Sequence, residues 1–118
     1  MPCVLVVDDE NVLLDMIAAL LEDLGYEAIT ALNGLEALST LSNQENVPDL
    51  IISDVMMPRM SGVTLAQEVR GIPHLRRVPI ILMSAGGCPR DVQVADYFLS
   101  KPFDLDELSV LIEQHVGG

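Results

Sequence analysis

The fold is decided by residues 50–58, which read LIISDVMMP. The first three residues form a short apolar run of the kind found in a strand buried on both faces of a sheet. The run is followed closely by a carboxylate, Asp54, and then by a turn that contains Pro58. This order predicts a parallel sheet whose strand ends carry the chemistry.

The same pattern recurs on both sides of this stretch. Apolar runs predict strands at residues 4–7, 28–31, 50–53, 78–83 and 97–99. Helical periodicity and capping residues predict helices at residues 11–24 with a stop at Gly25, 34–41 after Asn33, 61–70 from the cap Ser61, and 104–116. Strands that alternate with helices predict an α/β fold, a parallel sheet with helices on both faces. Between Met83 and Tyr97, two glycines and a proline leave room for a short helix at most.

Composition bounds the class of protein. The chain has 118 residues, with 18 Asp and Glu against 6 Lys and Arg, so its formal net charge is −12. This length predicts one domain over residues 1–118, and the 50% apolar content excludes a disordered acidic tail. The negative charge argues against direct binding to nucleic acid or to an anionic membrane. Since no segment looks like a signal peptide or a membrane span, we expect a soluble, cytoplasmic protein.

The two cysteines, Cys3 and Cys88, are expected to be free thiols. Neither has a Cys or His nearby at metal-ligand spacing, which argues against a zinc site. Cys3 precedes the first strand and Cys88 follows the carboxyl end of the fourth, so parallel strands would place them at opposite edges of the sheet. The isolated His74 and His115 are assigned no chemistry.

Polar side chains stand at four of the predicted strand ends. Asp8 and Asp9 follow the first strand, Asp54 the third, Ser84 the fourth, and Lys101, the only lysine of the chain, the fifth. A single such residue is more often a helix cap. Three carboxylates at one edge repel each other, however, and a divalent cation relieves that repulsion. Oxygen ligands without sulfur or imidazole favour Mg²⁺, or a similar ion such as Mn²⁺.

This set of residue types supports transfer of a phosphoryl group to a carboxylate. A carboxylate beside a divalent ion can attack phosphorus if the charge on the phosphoryl oxygens is neutralised. The cation would bind one oxygen, the Lys101 ammonium a second, and the Ser84 hydroxyl would donate to a third. The product would be an aspartyl phosphate.

Five segments in chain order carry a family resemblance. They are VVDDE at residues 6–10, NGLEAL at 33–38, SDVMMPRMSG at 53–62, MSA at 83–85 and ADYFLSKPF at 95–103. Each is weak alone, but together they resemble the response-regulator receiver domain of two-component signalling over essentially the whole chain. The resemblance implies a flavodoxin-like, doubly wound sheet of five parallel strands in the order 2-1-3-4-5.

The resemblance also implies roles at the metal site. Asp54 would be the phosphoacceptor and a metal ligand. Asp9 would bind Mg²⁺ directly, and Asp8 mainly through water. The backbone carbonyl of Met56 would complete the protein ligands.

Further roles follow from the same resemblance. Ser84 would be the switch hydroxyl, and Lys101 would be the phosphoryl-binding cation, followed by a cis peptide bond to Pro102. Phe98 would be the switch aromatic, and it could also be a residue of the core. Met56 and Gly86 would flank the path of the hydrolytic water and tune the lifetime of the phosphorylated state.

The implied partners are a histidine kinase or phosphotransfer protein as donor, and a downstream protein or fused output domain. A homodimer is also compatible with the family, whereas turnover of a separate substrate is not expected. Ser84 and Lys101 are 17 positions apart, which is closer than usual in this family, so its fourth helix should be short or absent.

Two alternatives stay open at this point. The chain could be an interaction module that binds its partner without phosphorylation, if the shortened helix has disabled the switch. It could also be a hydrolase of small phosphoesters that forms an aspartyl phosphate. The adjacent Asp8 and Asp9, in place of an Asp-x-Asp pair, and the lack of room for a cap domain argue against the hydrolase.

Overall fold

The computed structural model describes residues 2–42, 47–86 and 94–116, and strands and helices alternate within these ranges. The strands are β1 (Cys3–Val7), β2 (Glu27–Ala31), β3 (Leu50–Asp54), β4 (Ile80–Ser84) and β5 (Tyr97–Ser100). The α-helices are α1 (Asn11–Asp23), α2 (Gly34–Leu41), α3 (Gly62–Arg70) and α4 (Leu105–Val116), and Pro73–Leu75 forms a 3₁₀ turn. None of the helices in these ranges has both the length and the apolar character needed to cross a bilayer.

The strands form one parallel sheet in the order β2-β1-β3-β4-β5, which confirms the predicted fold. The register pairs Val7 with Ser53, Asp54 with Met83, and Ser84 with Ser100. The carboxyl ends of four strands therefore finish at nearly the same level. Side chains at these ends are brought to one edge of the sheet.

Helices cover both faces of the sheet because successive side chains of a strand point in opposite directions. On one face, Leu5 and Val7 of β1 share a buried cluster with residues of α2 and α3. On the other face, Val4 and Val6 share a second cluster with residues of α1 and α4. The central strands are thus buried on both sides, which explains their continuous apolar runs.

The helices begin and end at the residues that the sequence indicated. Asn33 Oδ1 accepts a hydrogen bond from the Glu36 N–H at 2.9 Å, and Ser61 Oγ accepts one from the Thr64 N–H at 3.1 Å. Asp104 Oδ1 caps α4 in the same way, at 2.7 Å from the Glu107 nitrogen. After α1, Gly25 has a φ of +89°, a conformation that favours glycine and ends the helix.

Strand β4 starts at Ile80 and not at residue 78 as predicted. Val78 cannot join the ladder, because its N–H donates to the Leu75 carbonyl at 3.1 Å and its own carbonyl accepts from Arg70 Nη1 at 2.7 Å. The ladder begins instead where the Pro79 carbonyl accepts from the Ile51 N–H at 3.0 Å. A side-chain contact from α3 has therefore shortened the strand.

Two of the sequence expectations fall on residues 87–93, which lie outside the described residues. They are the short or absent fourth helix of the family and the position of Cys88. Cys3 is a half-buried free thiol, and burial, followed by the negative charges of Glu27 and Asp49, raises its pKa. Cys3 is thus free as expected, whereas the state of the Cys88 thiol stays a prediction.

Candidate functional site

Four polar side chains from different strand ends lie at the carboxyl edge of the sheet. Asp8 directly follows β1, Asp54 ends β3, Ser84 ends β4 and Lys101 directly follows β5. The last two are joined through their backbones, since the Lys101 N–H donates to the Ser84 carbonyl at 2.9 Å. The edge that the sequence singled out thus holds all four.

Asp8, Asp9 and Asp54 form an acidic pocket. Each offers one carboxylate oxygen, and the three oxygens lie within 4.8 Å of one another. Asp8 and Asp54 are buried, whereas Asp9 is exposed to solvent. Because carboxylates at this separation repel each other and supply only oxygen donors, the pocket suits a hard divalent cation such as Mg²⁺.

Lys101 supplies the positive charge beside this pocket. Its Nζ lies 3.1 Å from Asp54 Oδ1, 3.5 Å from Asp8 Oδ2 and 4.0 Å from Glu10 Oε1. Burial lowers the pKa of the ammonium group, but the hydrogen bond to Asp54 and the charge of Asp8 outweigh burial and leave this pKa raised. Lys101 therefore stays protonated at neutral pH, and its single charge is shared among three acids.

Asp8 is the most enclosed of the acids, with a side chain that has no exposed surface. Its Oδ1 accepts a hydrogen bond from the Glu10 N–H at 2.9 Å, and its Oδ2 faces Lys101. Burial nevertheless raises the pKa of Asp8, and these two contacts offset that effect only in part. Ionised Asp8 is thus held at a cost in free energy while no cation is bound.

Residues 55–61 connect β3 to α3 beside the acidic pocket. Both ends of this loop are fixed, because the Val55 N–H donates to the Met83 carbonyl at 2.9 Å and the Gly62 N–H donates to the Val55 carbonyl at 2.9 Å. Between them, Arg59 has a φ of 71°, a left-handed conformation that residues other than glycine seldom adopt. Met56 is 73% exposed and so takes no part in the core.

The remaining site candidates differ in their surroundings. Ser84 is buried, and the Lys101–Pro102 peptide bond is cis. Phe98 is half-buried and packs against the cluster between the sheet and helices α2 and α3, so it contributes to the core. Gly86 is exposed, with open space where a side chain would project.

Sequence reasoning assigned no role to two neighbours of the site. Glu10 comes within ion-pair distance of Lys101, and its signal was that it directly extends the Asp8–Asp9 acidic run. Ser53 Oγ donates to the Asp54 carbonyl oxygen at 3.0 Å. No sequence signal marked Ser53, because in a strand buried on both faces periodicity does not say what a hydroxyl will meet.

Comparison with known proteins identifies the family. Residues 4–113 match the response regulator receiver domain. A probable transcriptional regulator, ycf29 of Porphyra purpurea, is 39% identical over 115 residues, which cover 92% of this chain and 54% of that protein. The chain spans about half the length of the curated relatives it matches.

Two solved structures agree with this match. The receiver domain of a signal transduction histidine kinase from Syntrophus aciditrophicus has a TM-score of 0.89 at 36% identity, over 100% of this chain and 92% of that one. The response regulator TrrA from Thermotoga maritima, solved in complex with Mg²⁺-BeF, has a TM-score of 0.84 at 35% identity, over 97% of this chain and 98% of that one.

The chain therefore belongs to the response regulator receiver family of two-component signalling. It carries the acidic pocket of Asp8, Asp9 and Asp54 beside Lys101. Receiver domains are signalling partners of histidine kinases and do not turn over a separate substrate. The hydrolase alternative is accordingly wrong.

Proposed function

We propose that residues 1–118 form one receiver domain that accepts a phosphoryl group on Asp54 from a histidine kinase or a phosphotransfer protein. The observation that carries this proposal is the 3.1 Å contact between Lys101 Nζ and Asp54 Oδ1 inside a pocket of further acids. A buried carboxylate with an ammonium group beside it is placed both to attack phosphorus and to have the resulting charge neutralised.

The donor set supports a bound Mg²⁺ or Mn²⁺ ion. Asp9, Asp54 and the backbone carbonyl of Met56 would hold the ion directly, and Asp8 would hold it mainly through water. When bound, the ion supplies positive charge to the phosphoryl oxygens. Its presence would also offset the repulsion within the acidic pocket.

The transfer itself uses Asp54 and the donor histidine. A carboxylate oxygen of Asp54 forms a bond to phosphorus while the bond from phosphorus to the imidazole nitrogen of the donor breaks. The electron pair of the broken bond stays on that nitrogen, which regains neutrality by taking up a proton. Lys101 pairs with one phosphoryl oxygen, and the Ser84 hydroxyl donates a hydrogen bond to another.

The switch follows from the same contacts. Ser84 and Lys101 end or follow adjacent strands, so a phosphoryl group that both residues bind would tie β4 to β5 at this edge. Phe98 lies on β5 three positions before Lys101, and its packing would change with that strand end. A partner that binds the two arrangements with different affinity would then read the state of Asp54.

The output lies with another protein or with further domains. Relatives about twice as long as this chain include proteins named as transcriptional regulators, so a fused output domain is one arrangement that we propose. In two further arrangements, the receiver would bind a separate downstream protein or would form a homodimer. We place this signalling in the cytoplasm.

Substitution of the phosphoacceptor tests the proposal. Asp54→Asn should abolish acid-labile phosphate incorporation from acetyl phosphate or from a phosphohistidyl donor in Mg²⁺, because an amide cannot form the acyl phosphate. Asp15→Asn, at an exposed position of α1, is the matched control and should be labelled like the wild type. Labelling that survives in Asp54→Asn, or that moves to another residue, would contradict the assignment.

The interaction module without phosphorylation is distinguished in the same experiment. Its motivation is the short spacing of 17 positions between Ser84 and Lys101. If the wild-type chain takes up no phosphate from any donor in Mg²⁺ and still binds a partner, that alternative replaces the switch.

A further inference from the structure

We propose that Gly62 is a positioning residue for the phosphoacceptor. Its lack of a side chain lets the first turn of α3 lie directly against the backbone carbonyl of Asp54, and this contact holds the Asp54 carboxylate in reach of Lys101. The proposal rests on the function proposed above, in which Asp54 receives the phosphoryl group.

Space, and not backbone conformation, explains the glycine at this position. A Cβ atom on Gly62 would overlap the Asp54 carbonyl oxygen and would lie 2.9 Å from its carbonyl carbon and 3.1 Å from Ser53 Oγ. The two closest of these are backbone atoms, which cannot rotate aside as a flexible side chain would. Among the described glycines, Gly25 is the one with a positive φ, so Gly62 does not need the left-handed freedom of glycine.

Hydrogen bonds hold the same backbone on several sides. The Gly62 N–H donates to the Val55 carbonyl at 2.9 Å, and the Val55 N–H donates to Met83 of β4 at 2.9 Å. Ser53 Oγ donates to the Asp54 carbonyl at 3.0 Å. The end of β3 is thus fixed between α3 and β4.

A methyl group on Gly62 must therefore displace Asp54, α3 or both. Helix α3 resists the displacement, because Leu65, Ala66 and Val69 are at most 1% exposed and anchor it in the core. Part of the shift must then fall on Asp54. Its carboxylate would leave a site where 3.1 Å separates it from Lys101 Nζ. A displacement of about 1 Å can lower the rate of a positioned reaction on the order of 10²-fold.

The experiment compares Gly62→Ala with Gly71→Ala at the other end of the same helix. A Cβ on Gly71 would meet the Glu68 and Gln67 carbonyl oxygens at 3.5 and 3.8 Å, which is ordinary contact. The readouts are the rate of phosphate incorporation from acetyl phosphate in saturating Mg²⁺, the Mg²⁺ affinity by calorimetry, and thermal unfolding by circular dichroism. All rates are taken below the unfolding midpoints.

We expect Gly62→Ala to lower the incorporation rate on the order of 10²-fold and to weaken Mg²⁺ binding, with Gly71→Ala within about twofold of wild type. A folded Gly62→Ala protein with a lower midpoint but wild-type rate and Mg²⁺ affinity would overturn the proposal, because its role would then be structural only. If the wild-type chain takes up no phosphate, the proposed function fails. The Mg²⁺ affinities still test the position of Asp54 in that case.

A second variant keeps the test decisive if Gly62→Ala does not fold. Ser53→Ala inserts no atom and removes only the hydrogen bond to the Asp54 carbonyl, which holds the same backbone. We expect a rate and a Mg²⁺ affinity lower by about fivefold, the equivalent of one hydrogen bond, with an unchanged circular dichroism spectrum. Wild-type values for both would overturn the proposal.

Discussion

Met56 and Gly86, which the family resemblance implies would flank the path of the hydrolytic water, carry no group that can hold a water molecule in line with a phosphoryl group. The thioether of Met56 is exposed, and Gly86 has no side chain at all. An amide or a carboxylate at these positions would orient a water and accept its proton, whereas open access alone does not orient a nucleophile. The phosphorylated state should therefore be long-lived.

The double variant Met56→Asn, Gly86→Glu tests this expectation. It should lose phosphate from Asp54 about tenfold faster than the wild type, because it introduces an amide and a carboxylate that can position water. Time courses of phosphate release from both proteins at one Mg²⁺ concentration provide the comparison. If the double variant keeps its phosphate as long as the wild type or longer, access of bulk water controls the lifetime instead.

At the scale of elements, one side chain joins α3 to the starts of two strands. Arg70, the last residue of α3, donates to the carbonyls of Arg76, Val78 and Val94 at 2.9, 2.7 and 3.1 Å. It also pairs with Asp96 Oδ2 at 2.9 Å, and the same oxygen accepts from the Ile80 N–H at 2.8 Å. Since the ion pair is partly exposed, the bonds to backbone carbonyls should matter more than the charges.

Arg70→Ala should therefore lower the free energy of unfolding by about 2 kcal/mol, because three carbonyls lose a donor. Asp96→Asn keeps an acceptor for the Ile80 N–H and should cost about 1 kcal/mol. Arg77→Ala, at an exposed position of the same connection, is the control and should change stability by no more than about 0.5 kcal/mol. Urea titrations followed by circular dichroism measure all three, and equal losses for Arg70→Ala and Arg77→Ala would contradict this account.

At the scale of the whole molecule, metal binding and stability are linked through the acidic pocket. Burial raises the pKa of Asp8, so the folded chain holds that proton more tightly than the unfolded chain does. Ionised Asp8 thus lowers stability at neutral pH in the absence of metal. This loss is recovered as the pH falls from neutrality through the raised pKa. A bound cation would reverse the balance by stabilising the ionised form.

Asp8→Asn should accordingly raise the unfolding midpoint in a chelator at neutral pH by roughly 4 °C, the shift that about 1 kcal/mol produces in a domain of this size. The gain should shrink as the pH is lowered, since wild-type Asp8 then becomes neutral as well. Thermal unfolding across this pH range is the measurement. A midpoint for Asp8→Asn at or below the wild-type value in chelator would contradict the inference that buried, ionised Asp8 lowers the stability of the metal-free protein.

In saturating Mg²⁺ the order of the unfolding midpoints should reverse, because binding of the ion should raise the midpoint of the wild type the most. Mg²⁺ should raise the midpoint of Asp9→Asn the least, because this variant lacks a carboxylate proposed to bind the ion directly. The rise for Asp8→Asn should lie between those of the wild type and Asp9→Asn. Equal Mg²⁺ affinity for the wild type and Asp9→Asn would show that Asp9 is not a ligand.

The sequence by itself determined which segments form strands and helices, how the two alternate along the chain, and the edge of the sheet where the acids meet. Central strands read as unbroken apolar runs because both of their faces are buried, and Asn33, Ser61 and Gly25 mark helix ends through bonds to their own neighbours. The acids could be assigned to one edge because parallel strands end on the same side. Each strand, each helix end and each acid at a strand end is therefore marked by residues close to it in the chain.

Only the tertiary structure decided which atoms meet between elements. Arg70 contacts Asp96, which is 26 positions away in the chain. Arg70 also shortens β4, because it donates a hydrogen bond to the Val78 carbonyl. The orientation of helices and strand ends likewise decides two further sets of contacts. Gly62 packs against the Asp54 carbonyl, and Lys101 contacts Asp8, Glu10 and Asp54. Hydrophobic periodicity predicts whether a residue is buried. These contacts depend in addition on distances of a few ångströms between segments whose relative positions periodicity does not predict.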